Sequence, residues 1–270
     1  MRYSLADIWA SRITNILAVL CMLPTVIAMA VIYIMNNDTV RLLLASAGGG
    51  AAPTIEMNER YFFVIMQGQC WLALVLTAWI GPRIIALDLA NNALPTILSH
   101  PISRTEYVMA KFAVLAGFLS VVTWVPVLFL FGFQSYLSVK PWAGTHWHIA
   151  AGTIVGSLIW ITLLSLLALA VSSWVRWRIV ATAMVFATMF VPAGMGGVFN
   201  AVLRTNWGGL INIPSMMFTL WRRLLHVELP RFSTRGELPT IAMLLSLTAI
   251  CFVCAMALNA RIRAREVVRG

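Results

Sequence analysis

Charged residues are scarce in this chain, and acidic residues are scarcer than basic ones. Only 10% of the 270 residues are charged, 61% are hydrophobic, and nine acidic residues stand against 19 Lys and Arg. A soluble domain carries about 25% charged residues. Apolar runs of about 20 residues, the length that a helix needs to cross a bilayer, recur along the chain. The composition therefore excludes an ordinary soluble domain and predicts a multi-pass membrane protein.

Residues that couple transport to an energy source are also missing. All nine acidic residues fall outside the apolar runs, whereas ion-coupled carriers place ionisable groups at membrane depth. A P-loop needs a lysine that follows a glycine, but the only lysines, Lys111 and Lys140, follow alanine and valine. We therefore expect this chain neither to couple transport to ions nor to bind ATP, so that any uphill movement would draw its energy from another polypeptide.

Catalytic and metal-binding motifs are absent as well. The chain has no HExxH and no GxSxG motif. His146 and His148 could bind a metal weakly, but alternate polar residues in a short loop are more often simply solvated, and no metal site is predicted. The four cysteines lie in apolar runs, and we interpret them as packing residues: Cys21, Cys70, Cys251 and Cys254.

Six apolar runs are long enough to span a membrane. At 1.5 Å per residue, each can cross a hydrocarbon core of about 30 Å. Lys and Arg favour the cytoplasmic ends of spans, and the arginines of 174–178 and 261–265 place both termini in the cytoplasm. The predicted fold is an all-α polytopic membrane protein, a single transmembrane domain over residues 1–270. Its expected spans are 13–35, 61–80, 112–133, 149–171, 179–203 and 238–258.

Two of these runs carry special features. The first run, 13–35, is too long for the apolar core of a typical signal peptide, so we expect it to be retained as a span. The fifth run contains Pro192 and three glycines in 194–197, which predict a kink or a break in its outer half.

Two segments beside the runs have amphipathic helical periodicity. Residues 3–12 predict an N-terminal helix at the inner membrane surface. The outer amphipathic loop 204–237 contains a second predicted interfacial helix. We interpret it either as a lid that meets substrate or anionic lipid headgroups, or as a loop tethered to the bilayer surface. Its residues of interest are Trp221 on the apolar face and Arg222, Arg223 and His226 on the polar face.

Polar side chains within the spans can hydrogen-bond between helices or line a pathway. Amides in lipid are costly without a partner, so Gln67 and Gln69 are the best candidates for lining a pathway, together with Asn200. Packing is the alternative for each. The GxxxG sequence of 152–156 predicts close approach of another helix.

The loop 81–111 between the second and third spans has unusual local order. Apolar residues recur at helical intervals over 84–99, which predicts an amphipathic helix bent at Pro95 and ended by Pro101. The following Ser103-Arg-Thr-Glu106 has the form of a capping box that would start the third span. We interpret the loop as a cytoplasmic coupling element that passes movement of a partner into both spans.

The stretch LPTILSHPISRTEYVMAKF in this loop resembles the loop before span three in permease subunits of ABC-2 type (type V) ABC transporters. Those proteins share a pattern of the form "L…LLS.P.SR.EY…K". Upstream, family members often carry an acidic residue followed by Gly-Thr, where this chain has Asp88-Leu-Ala-Asn-Asn92. The residues that match the pattern are Leu98, Ser99, Pro101, Ser103, Arg104, Glu106, Tyr107 and Lys111.

The resemblance implies a permease of the bacterial cytoplasmic membrane, dimeric with a second copy or a paralogue. A separate cytoplasmic ABC ATPase subunit would hold ATP and magnesium, and this chain would be no enzyme and carry no cofactor. Further expected partners are membrane lipids, and nucleic acid is not expected, because the net charge of +10 is attributed to residues facing headgroups. The implied ATPase contacts are Asp88, Asn91, Asn92, His100, Pro101, Ser103, Arg104 and Glu106.

We therefore expect the transmembrane subunit of an ATP-driven exporter. The alternative is a membrane scaffold or assembly protein that recruits a soluble partner without transport. A lipid-modifying enzyme that uses His226 and the neighbouring arginines is a third hypothesis, against which the lack of any nucleophile–base spacing speaks.

Overall fold

The computed structural model describes residues 12–48, 55–90, 104–138, 141–175, 177–228 and 238–267. Every regular element among them is helical. The helices are α1 Arg12–Asn36, α2 Asp38–Gly48, α3 Glu59–Ala90, α4 Arg104–Val122, α5 Trp124–Leu137, α6 Trp142–Thr145, α7 Trp147–Trp174, α8 Arg178–Leu203, α9 Ile213–Leu224 and α10 Thr240–Val267, with a 3-10 turn at Trp207–Leu210.

Six helical segments of the described chain are long and apolar enough to cross a membrane, which confirms the predicted multi-pass class. They coincide with the six predicted runs and extend beyond most of their ends, because the helices continue through flanking Trp, Arg and Glu residues. Glu59 and Glu106 thus belong to the ends of spans. The segments are Arg12–Asn36, Glu59–Pro82, Thr105–Leu137, Trp147–Trp174, Arg178–Leu203 and Thr240–Arg261.

The third span consists of two helices that meet at Thr123. The backbone of Thr123 leaves helical geometry, with φ −99° and ψ −86°. Pro126 has no N–H to donate, so the carbonyl of Val122 loses its helical partner. Beside this joint, the Leu119 carbonyl accepts from both the backbone N–H and the hydroxyl of Thr123, at 2.9 and 2.8 Å.

The fifth span was expected to be kinked or broken in its outer half, and it is not broken. The helix α8 runs without interruption from Arg178 to Leu203, through Pro192 and the glycines after it. One proline removes a single backbone donor, and the rest of the hydrogen-bond ladder is enough to keep the helix continuous.

The central helix of the bundle is α7, which packs against α3, α4, α5, α8, α9 and α10. Its buried side chains combine large residues such as Trp160 with small ones such as Ala168 and Ser165. Trp160 Nε1 donates to the carbonyl of Cys70 on α3 at 3.3 Å. The pair α3–α7 therefore forms the core on which the other spans are arranged.

The two ends of the bundle are built differently. At one end, which we call the distal end, Asn36 donates to Gln134 at 2.8 Å, and α9 lies between the ends of α8 and α10. At the opposite, proximal end, Trp174 donates to the carbonyl of Ala257 at 3.3 Å and the Arg178 guanidinium lies 4.5 Å from the Trp79 ring centroid. The distal end corresponds to the predicted outer side.

Candidate functional site

The helix α9 is the element of the 204–237 loop that builds the candidate site. It begins after Asn212, whose side-chain oxygen accepts a hydrogen bond from Ser215 N at 3.0 Å, and Pro214 occupies its first turn. An Asn cap followed by proline is a strong start signal for a helix. Its apolar face, which was expected at the bilayer interface, packs against α7, and Trp221 is completely buried.

The close approach of α9 depends on the two glycines of the GxxxG sequence. A Cβ on Gly156 would overlap the indole ring of Trp221, and a Cβ on Gly152 would lie 2.9 Å from the Leu224 carbonyl oxygen. The predicted helix approach is thus present, and its partner is α9. Trp160 meets Trp221 edge to face, with 5.7 Å between ring centroids.

A cavity of about 500 Å³ lies between α3, α8 and α9, and we call it the aromatic cavity. Four rings form its apolar wall: Phe63 and Trp71 from α3, Phe190 from α8 and Phe218 from α9. The rings of Trp71 and Phe190 are parallel, with centroids 5.9 Å apart. Phe218 meets Trp71 edge to face at 5.6 Å. Three separate helices thus contribute to one aromatic surface.

The polar rim of the aromatic cavity comes from α9 and its cap. Asn212, Ser215, Thr219 and Arg222 line this side, and none of the described residues that line the cavity is acidic. A second cavity of about 190 Å³ shares Ser215, Thr219 and Arg222. The polar face of α9 therefore borders both cavities, and Arg222 is its cation.

The neighbouring arginine has a different position. Arg223 donates to Thr240 Oγ1 at 2.5 Å and to the carbonyl of Leu238 at 2.7 Å. These bonds connect the end of α9 to the start of α10. Of the two arginines that the sequence grouped together, Arg222 lines the cavities and Arg223 joins two helices.

Histidines gather around Glu59 at the distal end. Glu59 Oε1 lies 3.4 Å from His148 Nε2 and 3.9 Å from His146 Nε2. His226, whose φ of 57° is left-handed, meets the His148 ring edge to face at 5.1 Å. From the sequence, His146 and His148 are interpreted either as weak metal ligands or, more often for such a loop, as solvated residues. No group of three or more His, Cys, Asp or Glu within the described segments is arranged to hold a metal ion.

The amides predicted to line a pathway lie elsewhere. Gln69 is fully buried and donates to Thr25 Oγ1 at 2.6 Å, which connects α3 to α1. The Asn200 side chain accepts from Gly208 N at 2.8 Å and holds the turn after α8. Gln67 is half-buried. None of the three lines the aromatic cavity or the smaller one beside it.

The predicted ATPase contacts fall mostly outside the described residues. Asp88 lies in α3 and Arg104 begins α4, but their side chains are not described. The capping-box prediction agrees with the start of α4 at Arg104, and Glu106 in its first turn is exposed. Residues 84–90 continue the helix of span two. Outside the described residues lie Asn91, Asn92, His100, Pro101 and Ser103, together with all of the predicted helix at 3–12 except Arg12, which begins α1.

Sequence reasoning missed the aromatic wall. Trp71 and Phe190 each stand in an apolar run in which an aromatic residue is unremarkable, and neither position has a local pattern that points to the other. Only Ser215, Thr219 and Arg222, one helical turn apart, could be grouped from the sequence.

No protein-family model matches this chain, and no curated protein has a matching sequence. The class that the fold defines is a helical, multi-pass membrane protein. The resemblance to ABC-2 permeases rests on the residues of the 98–111 stretch and on the six-span layout.

Proposed function

We propose that this chain is the transmembrane permease subunit of an ATP-driven ABC exporter in the bacterial cytoplasmic membrane. It couples to a separate ATPase subunit through the cytoplasmic loop 81–111 and works as a dimer of permeases. The observation that carries the proposal is the continuity of α3 from Glu59 to Ala90 and the start of α4 at Arg104. The family-like stretch thus lies, along the sequence, between two long helices of the bundle.

A rigid α3 would link the coupling loop to the aromatic cavity. Phe63 and Trp71 of the cavity wall and residues 81–90 of the coupling loop belong to this one helix. From Trp71 to Ala90 the distance along the axis is about 30 Å at 1.5 Å per residue. Rigid-body displacement of packed helices is an established way to transmit a local movement over such distances. ATP hydrolysis on the partner would therefore change the cavity by moving α3.

The test is purification of the tagged chain from its native membrane in mild detergent, with mass spectrometry of the proteins that remain bound. We expect a stoichiometric P-loop ATPase. Glu106→Arg should reduce its recovery about tenfold, because reversing a charge at a docking contact opposes the complementary surface. Glu56→Arg makes the same change at an exposed residue of the distal end and should retain the ATPase.

Two other outcomes would decide against parts of the proposal. If the chain is recovered alone or with a protein that is no ATPase, the scaffold hypothesis replaces the permease. If the ATPase remains and Glu106→Arg keeps full stimulated turnover and transport, the contact lies elsewhere on the chain. A single symmetric peak without aggregate in size-exclusion chromatography would show for each variant that the protein is folded.

A further inference from the structure

We propose that the aromatic cavity binds one anionic lipid of the leaflet at the distal end. The headgroup would lie at the polar rim formed by α9, and the upper part of an acyl chain would lie along the aromatic wall. This assignment does not depend on the proposed function, because any membrane protein with this cavity could hold such a lipid.

The cavity is accessible from the bilayer. Its wall includes Phe190, which is 50% exposed on α8. Only 22% of the most apolar window of that helix is buried, and its neighbours Val191 and Met195 are exposed. A helix that is apolar on its exposed side faces lipid in a membrane protein. An acyl chain can therefore enter beside α8 without passing through water.

The rim has the chemistry of an anion site. Ser215, Thr219 and Arg222 follow one another at helical spacing on the polar face of α9 and line the cavity together. A guanidinium presents five N–H donors in a planar fork that fits phosphate oxygens. The described lining contains no carboxylate that would oppose a negative ligand. Charge complementarity thus favours an anionic headgroup over a zwitterionic one.

The wall has the chemistry of a chain site. Trp71, Phe190 and Phe218 contribute ring faces and edges to a single surface, and a volume of about 500 Å³ lies within the usual range of ligand pockets, about 300–1,000 Å³. Such a pocket is mostly apolar with a few convergent polar groups. An apolar wall with a cationic rim fits an amphiphile better than a wholly polar solute or a wholly apolar one.

The experiment uses the full chain, purified in mild detergent and analysed by native mass spectrometry. Phosphatidylglycerol and phosphatidylcholine with identical acyl chains are added in turn, and the occupancy of a single bound lipid is titrated. We expect phosphatidylglycerol to bind about 5- to 20-fold more tightly, as a charge-assisted hydrogen bond at a half-exposed site allows. Arg222→Gln should bring this ratio close to one.

A matched control distinguishes lipid binding at the rim of the cavity from nonspecific attraction of anionic lipid to the positively charged protein. Arg60→Gln removes one positive charge from an exposed position at the distal end of α3, outside the lining of either cavity. It should keep the wild-type preference. Phe190→Ala tests the aromatic wall. It should lower the affinity for both lipids about 3- to 10-fold and leave the ratio of the two affinities unchanged, because both lipids have the same acyl chains. Phe190 is half-exposed, so the substitution is compatible with folding.

Three results would overturn the proposal. One is an equal affinity for both lipids in the wild type, and another is the same loss of preference in Arg60→Gln as in Arg222→Gln. The third is a lipid-free dimer that Phe190→Ala dissociates, since a second copy would then fill the cavity. None of these results involves recovery of the ATPase, so the proposed function is decided separately.

Discussion

The fourth and sixth spans have equally apolar central windows, but the two windows differ widely in how much of them is buried. Both α7 and α10 have 28 residues, and their most apolar windows share a mean hydropathy of 2.5. Yet 61% of that window is buried in α7 and 17% in α10. Hydrophobicity cannot predict which of the two helices is central and which faces outward, because lipid is as apolar as a protein core. One feature that does distinguish them is glycine, because α7 has two glycines at its contact with α9 and α10 has none.

Small and hydroxyl-bearing residues of α7 lie at its contacts inside the bundle. Gly152 and Gly156 admit α9 to close contact, and Ser157 and Ser165 are buried. In contrast, α10 turns large apolar side chains outward, each at least 58% exposed. Packing of small residues, rather than a hydrophobic driving force, holds helices together in lipid. The large apolar α10 residues that are at least 58% exposed are Ile241, Leu245, Phe252, Val253 and Met256.

The largest effect is expected from enlarging the small residue at the tightest contact of α7, which tests whether close packing holds this helix in place. Gly156→Ala would place a Cβ inside the ring of Trp221. Because Trp221 is fully buried, α9 must shift, and we expect the free energy of unfolding to fall by about 1–3 kcal/mol. Thermal unfolding followed by fluorescence-detected size-exclusion chromatography would show this as an earlier transition.

The matched control lies on the lipid-facing helix α8. Gly197 has open space at its Cβ position, so Gly197→Ala should be neutral or slightly stabilising, because alanine favours a helix by about 1 kcal/mol over glycine. If Gly156→Ala unfolds no earlier than Gly197→Ala, the contact between α7 and α9 does not determine stability. Combining Gly156→Ala with Trp221→Leu should recover part of the loss.

The next prediction concerns a polar contact between two spans. Gln69 donates to Thr25 at 2.6 Å with both side chains buried. A double-mutant cycle with Gln69→Leu and Thr25→Val should give a coupling of about 0.6 kcal/mol, with an upper bound of about 1.7, as between other membrane helices. Denaturation of the four proteins in the same detergent measures it. A coupling of zero would mean that the two side chains contribute independently.

The sequence contained enough information for the class of fold and for several helix ends. Runs of apolar residues predicted all six spans, and the Ser103–Glu106 pattern predicted the start of α4 at Arg104. Span positions and helix starts can be predicted because they depend on residues that are close together in the sequence. The joint at Thr123 could have been inferred from Pro126, whereas Pro192 leaves α8 uninterrupted, so proline alone does not decide between the two outcomes.

The candidate site could be predicted only in part, for a physical reason. Its rim lies on one helix, and helical spacing therefore relates Ser215, Thr219 and Arg222. Its wall joins α3, α8 and α9, and the meeting of Trp71 with Phe190 depends on how three helices pack around α7. In lipid that packing depends on shape more than on hydrophobicity, and a hydropathy pattern carries little information on shape.

The smallest effect is expected on the outward face of α10. Phe252 is 66% exposed, and in lipid or detergent its ring meets apolar surroundings in both the folded and the unfolded chain. Phe252→Ala should therefore change the free energy of unfolding by less than about 0.5 kcal/mol. Phe62→Ala, at a fully buried ring of α3, serves as the contrasting variant and should cost about 3 kcal/mol. The contrary result is a loss of unfolding free energy in Phe252→Ala that approaches the loss in Phe62→Ala and grows with protein concentration. It would mean that a second copy of the chain covers α10, and that α10 is exposed only in the isolated chain.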